Sequence, residues 1–180
     1  MRELYNSFIY DIKKNPFRWY FIISMISTIA FCSLFNHGDI HLFHRWALCI
    51  WDVIFQGNIR NYFEYTSHFE YMGNPYSVLI YVPLAIWNFP VWLLHTINEN
   101  INLATPVFWV WSKLFQVVCT YVTAVYIRRI LKFFYVDSYW KDLAVILCFG
   151  ATSVMISIGE AGQDEMFYVM LFTMGIYYLL

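Results

Sequence analysis

The chain has 180 residues, of which 61% are hydrophobic, 22% aromatic and only 13% charged. Soluble domains carry about 25% charged residues, so this composition excludes an ordinary soluble protein. It predicts an all-α fold, a polytopic transmembrane helical bundle, because roughly 20 apolar residues suffice for each crossing. The net charge of −1 excludes a basic nucleic-acid-binding protein. Membrane lipids and membrane-borne molecules are therefore the expected partners.

The N-terminal segment, residues 1–18, is predicted to be a helix that lies on the cytoplasmic membrane surface. Its apolar residues share one helical face: Leu4, Phe8, Ile9 and Ile12. The first span follows at residues 19–35. Basic residues precede this span, and its end lacks the small residues of a cleavage site. We interpret the span as a retained signal anchor.

An outer loop, residues 36–75, follows the first span and contains a helix-patterned stretch at residues 41–56. Its apolar face comprises Leu42, Phe43, Trp46, Ile50, Val53 and Ile54. Its polar face comprises His41, Arg45, Asp52 and Gln56. This pattern predicts an interfacial helix beside the first span.

The later apolar runs predict the remaining spans. Pro106 indicates a helix start for the run at residues 107–127. The polar residues of this run fall on one helical face: Trp109, Ser112, Lys113, Gln116, Thr120 and Thr123. Further spans are predicted at residues 143–158 and 166–180, and the last of these is truncated by the end of the sequence.

The basic residues predict the orientation in the membrane, because Lys and Arg are enriched in cytoplasmic loops. Eight of the 11 basic residues lie either before the first span or at residues 128–141. If every apolar run before residue 128 crossed the membrane, the basic residues at 128–141 would lie outside, which conflicts with this enrichment. The conflict disappears if residues 76–97 form a broken or re-entrant span. The interruptions in that run are Pro83, Asn88 and Pro90. The outer loop and the acidic patch at residues 159–165 then face the same outer compartment.

Asp39 lies directly after the first span, where a carboxylate would reach substrates that carry a lipid tail. Partial desolvation raises the pKa of a carboxyl group, so Asp39 is a candidate general base. The alternative is an N-cap for the following helix. His37, His41 and His44 suggest a divalent-cation site together with Asp39. They lack HExxH-type spacing, however, and a structural role is favoured.

Two further regions contain candidate binding residues. Lys113 lies inside a predicted span, where ionisable residues face the bundle interior or a water-filled cavity. It either binds a phosphate at the level of the head groups or snorkels to the interface. In the acidic patch, Glu160, Gln163 and Asp164 would bind a metal ion, sugar hydroxyls or an internal lysine. A solvated loop is the alternative interpretation of that patch.

Four short motifs occur in a characteristic order. They are Asp39 in the first outer loop, the segment Asn74 to Leu84 with Tyr76, the sequence Tyr126-Ile127-Arg128-Arg129, and Gly162-Gln163-Asp164. This order resembles the N-terminal part of GT-C superfamily integral-membrane glycosyltransferases, which include mannosyltransferases and aminoarabinose transferases. The resemblance covers this whole chain but only about the first half of such an enzyme. We therefore expect the natural chain to continue past Leu180.

The resemblance implies a lipid-linked donor, a polyprenyl-phosphate sugar, and inverting transfer at the outer face of the cell membrane. Asp39 would be the general base, and Arg45 or Lys113 would stabilise the developing phosphate charge. The other candidate substrate-binding residues are Tyr76, Glu160, Gln163 and Asp164. No cofactor is implied with certainty, and a requirement for Mg²⁺ or Mn²⁺ stays open.

Two other functional classes remain open from the sequence. One is a transporter or channel subunit, in which the interrupted segment at residues 76–97 would line the pathway. The other is a non-catalytic membrane assembly protein, in which the polar residues of the spans would be helix-packing contacts.

Overall fold

The computed structural model describes residues 2–34, 38–67, 78–103, 105–149 and 165–180. Every regular element within these ranges is helical, which confirms the predicted all-α class. The helices are α1 (Arg2–Lys14), α2 (Pro16–Leu34), α3 (Gly38–Phe55), α4 (Tyr62–Ser67), α5 (Val78–Ile97), α6 (Pro106–Phe133), α7 (Ser138–Phe149) and α8 (Glu165–Leu179), with a 3₁₀ turn at Ile59–Asn61.

Helix α6 is the central helix, and it contacts α2, α3, α5, α7 and α8. It begins at Pro106 after Thr105, as the sequence predicted. Its 28 residues make it about 42 Å long at 1.5 Å per residue. This length exceeds the roughly 30 Å of a membrane hydrocarbon core. The helix therefore continues past the predicted end at residue 127 and is long enough to extend beyond an apolar layer of that thickness.

Helices α2 and α6 run antiparallel. The guanidinium of Arg128 lies 4.7 Å from the centre of the Phe17 ring, and the hydroxyls of Ser24 and Tyr121 are 2.8 Å apart. The start of α2 is thus beside the end of α6. Both predicted cytoplasmic basic groups consequently lie at one end of the bundle. We call this the basic end, and it is formed by Lys13, Lys14, Arg18, Arg128, Arg129 and Lys132.

Helices α3 and α5 run parallel and contain most of the core. The rings of Phe43 and Tyr81 are 5.5 Å apart near the start of both helices, and Phe55 stacks on Trp92 at 4.7 Å near their ends. The buried core residues of this pair include Phe43, Trp46, Ile50, Val53, Tyr81 and Leu84. Four of these belong to the apolar face that the sequence predicted for α3.

Helix α3 packs mainly against helices that follow it in the sequence, and its place beside the first span stays a prediction. Its main neighbours among the described helices are α5, α4 and α6. Helix α3 is buried on more than one face, because His44, Leu48 and Cys49 are also buried.

Helix α5 is one continuous helix of 20 residues with Pro83 and Pro90 inside it, so the described part of the predicted broken segment, residues 78–97, contains no break. Pro83 has no backbone N–H to donate to the carbonyl of Leu79, four residues earlier. The Tyr168 hydroxyl of α8 donates to that carbonyl oxygen at 3.4 Å. A neighbouring helix thus supplies the donor, which is how apolar helices tolerate proline.

Helices α5 and α6 are joined by a reciprocal tryptophan pair. The indole N–H of Trp87 donates to the Trp111 carbonyl at 2.8 Å, and the indole N–H of Trp111 donates to the Trp87 carbonyl at 3.2 Å. Trp87 also contacts Phe115. The hydrogen bonds and ring contacts described between these helices all lie in the first part of α6. The chain between the end of α2 and the start of α6 therefore begins and ends at the end of the bundle opposite the basic end.

Two described helices, α5 and α6, are long and apolar enough to cross a membrane. Only 33% and 39% of their apolar windows are buried inside the protein, so much of this surface faces outward. Exposed apolar side chains also occur on α2 and α8, including Ile23, Ile26 and Phe172. By length and composition these helices support membrane association. Helix α2 matches the predicted first span within three residues, and its crossing of a membrane stays a prediction.

Candidate functional site

A buried hydrogen-bonded chain joins α3, α5 and α6. His44 Nδ1 lies 2.5 Å from Ser112 Oγ, and the Ser112 hydroxyl donates to Asn88 Oδ1 at 3.0 Å. All three side chains are buried, with exposed fractions of 2% or less. We call these three residues the polar chain. Hydrogen bonds between helices in apolar surroundings hold helices in a defined register.

The direction of these bonds determines the tautomer of His44. The single Ser112 proton is donated to Asn88, so Ser112 Oγ accepts the hydrogen bond from His44 Nδ1–H. A neutral imidazole has one proton, and its Nε2 is therefore a lone-pair acceptor. His44 Nε2 itself is enclosed by the protein, with almost no exposed surface.

The polar stripe predicted on α6 faces the interior of the bundle. Its buried members are Ser112, Lys113, Gln116, Thr120 and Thr123. Thr120 and Thr123 donate to carbonyls four residues earlier in the same helix. Within the described residues, both polar atoms of the Gln116 side chain and Nδ2 of Asn88 have no hydrogen-bond partner. Lys113, which the sequence analysis expected to face the bundle interior or a water-filled cavity, is among these buried residues.

A cavity of about 750 Å³ opens beside the polar chain, at the end of the bundle opposite the basic end. Its α3 wall is formed by His44, Arg45, Leu48, Cys49 and Asp52. Trp92 and His95 of α5, Trp109 of α6, Tyr65 of α4 and residues 99–103 complete the described lining. We call it the His44 cavity. Its volume is within the range of small-molecule sites, about 300 to 1,000 Å³.

The polar groups of the His44 cavity are oriented by the surrounding structure. The Trp92 indole donates to Asp52 Oδ1 at 2.8 Å. Burial, followed by the nearby Asp52 carboxylate, raises the pKa of Tyr65 above 10.0. His95 Nδ1 lies 2.9 Å from the carbonyl oxygen of Ile101 and donates to it, because a carbonyl only accepts. The neutral His95 ring therefore also presents Nε2 as an acceptor.

The predicted site residues have different positions. Arg45 lines the His44 cavity, as does Asp52, another member of the predicted polar face of α3. Lys113 is fully buried and is not among the described residues that line the cavity. Asp39 is the second residue of α3 and lies within its first turn, not at the N-cap position before the helix. Its side chain is outside the part of the chain that the structure describes. The other candidates, Tyr76, Glu160, Gln163 and Asp164, lie outside the described residues, as does His37.

Sequence reasoning missed several groups that the fold brings together. Asn88 was interpreted only as an interruption of an apolar run, yet it accepts from Ser112. His95 and Glu99 line the same cavity as Arg45 although they are about 50 residues away in the sequence. Asn88 and Ser112 offered one signal, because each is a polar residue in an apolar helix and such residues require partners.

No group of three or more His, Cys, Asp or Glu side chains within the described ranges is arranged to hold a metal ion. The two acids and two histidines of the His44 cavity do not form such a group. No family model, no curated protein and no solved structure matches the chain.

Proposed function

We propose that the protein is a multi-pass membrane glycosyltransferase, or its N-terminal part, that uses a polyprenyl-phosphate sugar donor. The observation that carries this proposal is the His44 cavity, which combines acids, a cation and aromatic faces at the end opposite the basic end. If the basic end is cytoplasmic, as Lys and Arg favour, the cavity opens toward the outer compartment. The protein would then belong to the cell envelope, with an N-terminus in the cytoplasm.

The lining of the His44 cavity suits a sugar. Asp52 and Glu99 can accept hydrogen bonds from sugar hydroxyls, and both line the same space. Trp109 also lines this space, and its large amphipathic ring would cover the apolar face of a pyranose. His95 adds a further polar group to this lining. A few placed polar groups among aromatic walls are typical of small-molecule sites.

Arg45 is the residue that we expect to bind the phosphate of the donor. It is exposed on α3 and lines the His44 cavity, whereas Lys113 is buried away from it. A guanidinium pairs with two phosphate oxygens at once. Cations placed where negative charge develops stabilise the transition state of such a transfer. We therefore assign phosphate stabilisation to Arg45 and not to Lys113.

Asp39 remains the proposed general base. It precedes His44 by five residues in α3, a rise of about 7.5 Å along the helix. Its carboxylate would take the proton of the acceptor hydroxyl while the hydroxyl oxygen bonds to the anomeric carbon. The bond between that carbon and the phosphate oxygen breaks, and polyprenyl phosphate leaves with the electron pair.

The test uses the full-length protein in proteoliposomes with a panel of radiolabelled polyprenyl-phosphate hexoses and aminoarabinose. Membrane lipids serve as acceptors, and release of polyprenyl phosphate is measured. We expect turnover of at least one donor. Asp39→Asn should lower the rate at least 100-fold, the lower range for loss of a general base, and keep donor binding. Arg45→Gln should weaken donor binding, and Arg60→Gln is its matched control. Near-normal transfer by Asp39→Asn, or no binding of polyprenyl phosphate, would contradict the proposal.

A second candidate function is a non-catalytic membrane assembly protein. The observation that favours it is the polar chain, because His44, Ser112 and Asn88 join three helices and so act as packing contacts. This function predicts that Asp39 and Asp164 tolerate neutral replacement. A transporter or channel subunit has less support, since the described part of the segment at residues 76–97 is one continuous helix.

A further inference from the structure

A second cavity, of about 910 Å³, opens at the basic end. Four cations line it: Lys13, Lys14, Arg18 and Arg128. Asp142 is the one carboxylate among its described lining residues. The described lining therefore has a net charge of +3, although the whole chain has a net charge of −1. We call it the basic cavity.

The corner between α1 and α2 holds the two lysines at this cavity. The Trp19 indole donates to Asp11 Oδ2 at 2.8 Å, and the Asn15 amide donates to Asp11 Oδ1 at 2.9 Å. Phe8 packs edge-on against Trp19 at 4.7 Å. These contacts fix the turn at Asn15 between the two helices. Lys13 and Lys14, in the last turn of α1, are thus held in place beside the start of α2.

The cations of the basic cavity differ in their pairing. Arg128 donates from Nε to Asp142 and lies over the Phe17 ring. Arg18 has Asp11 at 3.7 Å. Neither Lys13 nor Lys14 pairs with a carboxylate in the described part of the chain. The two lysines therefore carry positive charge that an anionic ligand can neutralise.

The two N-terminal helices that carry Lys13, Lys14 and Arg18 also carry exposed apolar side chains. On α1 the large side chains of Leu4, Tyr5 and Phe8 are 76%, 64% and 45% exposed. On α2, Ile23 and Ile26 are also exposed. A ligand of this region would therefore combine a negative head group with hydrocarbon chains. Lys and Arg near a negatively charged leaflet each contribute about a fivefold gain in lipid affinity.

We propose that the basic cavity binds the phosphate of an anionic phospholipid, with Lys13 and Lys14 as its main contacts and with Arg18 and Arg128 as its walls. The acyl chains lie along the exposed apolar side chains of α1 and α2. The site depends on the membrane assignment of this protein and is independent of glycosyl transfer. It anchors the start of α2 at the membrane surface.

The test measures lipid binding to the purified full-length protein in detergent by native mass spectrometry. Phosphatidylglycerol is titrated against phosphatidylcholine, which has the same chains but no net charge. We expect preferential binding of phosphatidylglycerol. The double variant Lys13→Gln/Lys14→Gln should lose roughly 30-fold in that affinity, about fivefold for each lysine. Added salt should weaken binding, because it screens exposed charges.

Arg60→Glu is the matched control, because it changes the net charge by the same two units. Arg60 is exposed in the 3₁₀ turn and does not line the basic cavity. The affinity of this variant for phosphatidylglycerol should therefore stay within twofold of that of the unmodified protein. Lys13→Arg/Lys14→Arg keeps the charge and should keep the affinity. Circular dichroism verifies that each variant is folded.

Three results would overturn the proposal. The first is equal affinity for the charged and the neutral lipid. The second is an equal loss of affinity in the lysine variant and the Arg60→Glu control. The third is displacement of phosphatidylglycerol by inorganic phosphate at comparable concentration, which would mean that free phosphate is the ligand.

Discussion

Replacing Ser112 by alanine tests whether the polar chain holds α3, α5 and α6 together. The substitution removes the one hydroxyl that accepts from His44 Nδ1 and donates to Asn88 Oδ1. Both remaining groups are buried, so each loses its partner without gaining water. An unsatisfied buried polar group costs about 1 to 3 kcal/mol.

The net effect should be smaller than the sum of two such losses. Alanine favours the helix over serine by about 0.5 kcal/mol, and hydrogen bonds between membrane helices measure about 0.6 to 1.7 kcal/mol. We therefore expect Ser112→Ala to lower the free energy of unfolding by about 2 kcal/mol. The assay is equilibrium unfolding in mixed micelles, followed by far-ultraviolet circular dichroism.

Ser27→Ala is the matched control, because Ser27 lies in helix α2 and is exposed. It makes the same chemical change without breaking a bond between helices, and its effect should stay within about 0.5 kcal/mol. A double-mutant cycle with Asn88→Ala should give a coupling energy of about 1 kcal/mol. If Ser112→Ala and Ser27→Ala have the same effect, the polar chain does not couple these helices.

Three further predictions concern other parts of the protein. Leu84→Ala should destabilise by about 2 to 5 kcal/mol in the same assay, because Leu84 is 0% exposed; Leu94→Ala, at a position 50% exposed, is the control and should have a much smaller effect. Lys113 is 0% exposed and should resist acylation by an amine reagent that labels the surface lysines of the folded protein, as read by peptide mass mapping; rapid labelling would contradict its burial. Hydrogen bonds from the Trp19 indole and the Asn15 amide hold the pKa of Asp11 below 3.8, so the contact is fully present above that pH and is lost as the pH falls through the lower folded-state pKa. Hydrogen exchange of residues 2–14, corrected for intrinsic rates, should therefore rise only in acid, and Asp11→Asn should raise it already at neutral pH.

The helices themselves were largely predictable from local pattern. Pro106 marked the start of α6, and the apolar positions Phe43, Trp46, Ile50 and Val53 were recognised as the buried face of α3. The continuity of α5 was not predictable, because it depends on Tyr168 of α8 as a donor to the carbonyl that Pro83 leaves without its backbone partner. The neighbours of α3 were also missed, since helical periodicity identifies a buried face but not the helix that covers it.

The sequence by itself determined that this protein is apolar and helical, that its basic residues form two groups, and that the polar residues of α6 share one face. These properties follow from composition and from the helical repeat, which are local. Only the tertiary structure decided that both basic groups meet at one end and that His44, Asn88 and Ser112 form one chain. It also brought Arg45, Asp52, His95 and Glu99 to one cavity. The physical reason is that residues on separate helices meet only when packing sets the direction and register of those helices, and side-chain contacts across helices set both.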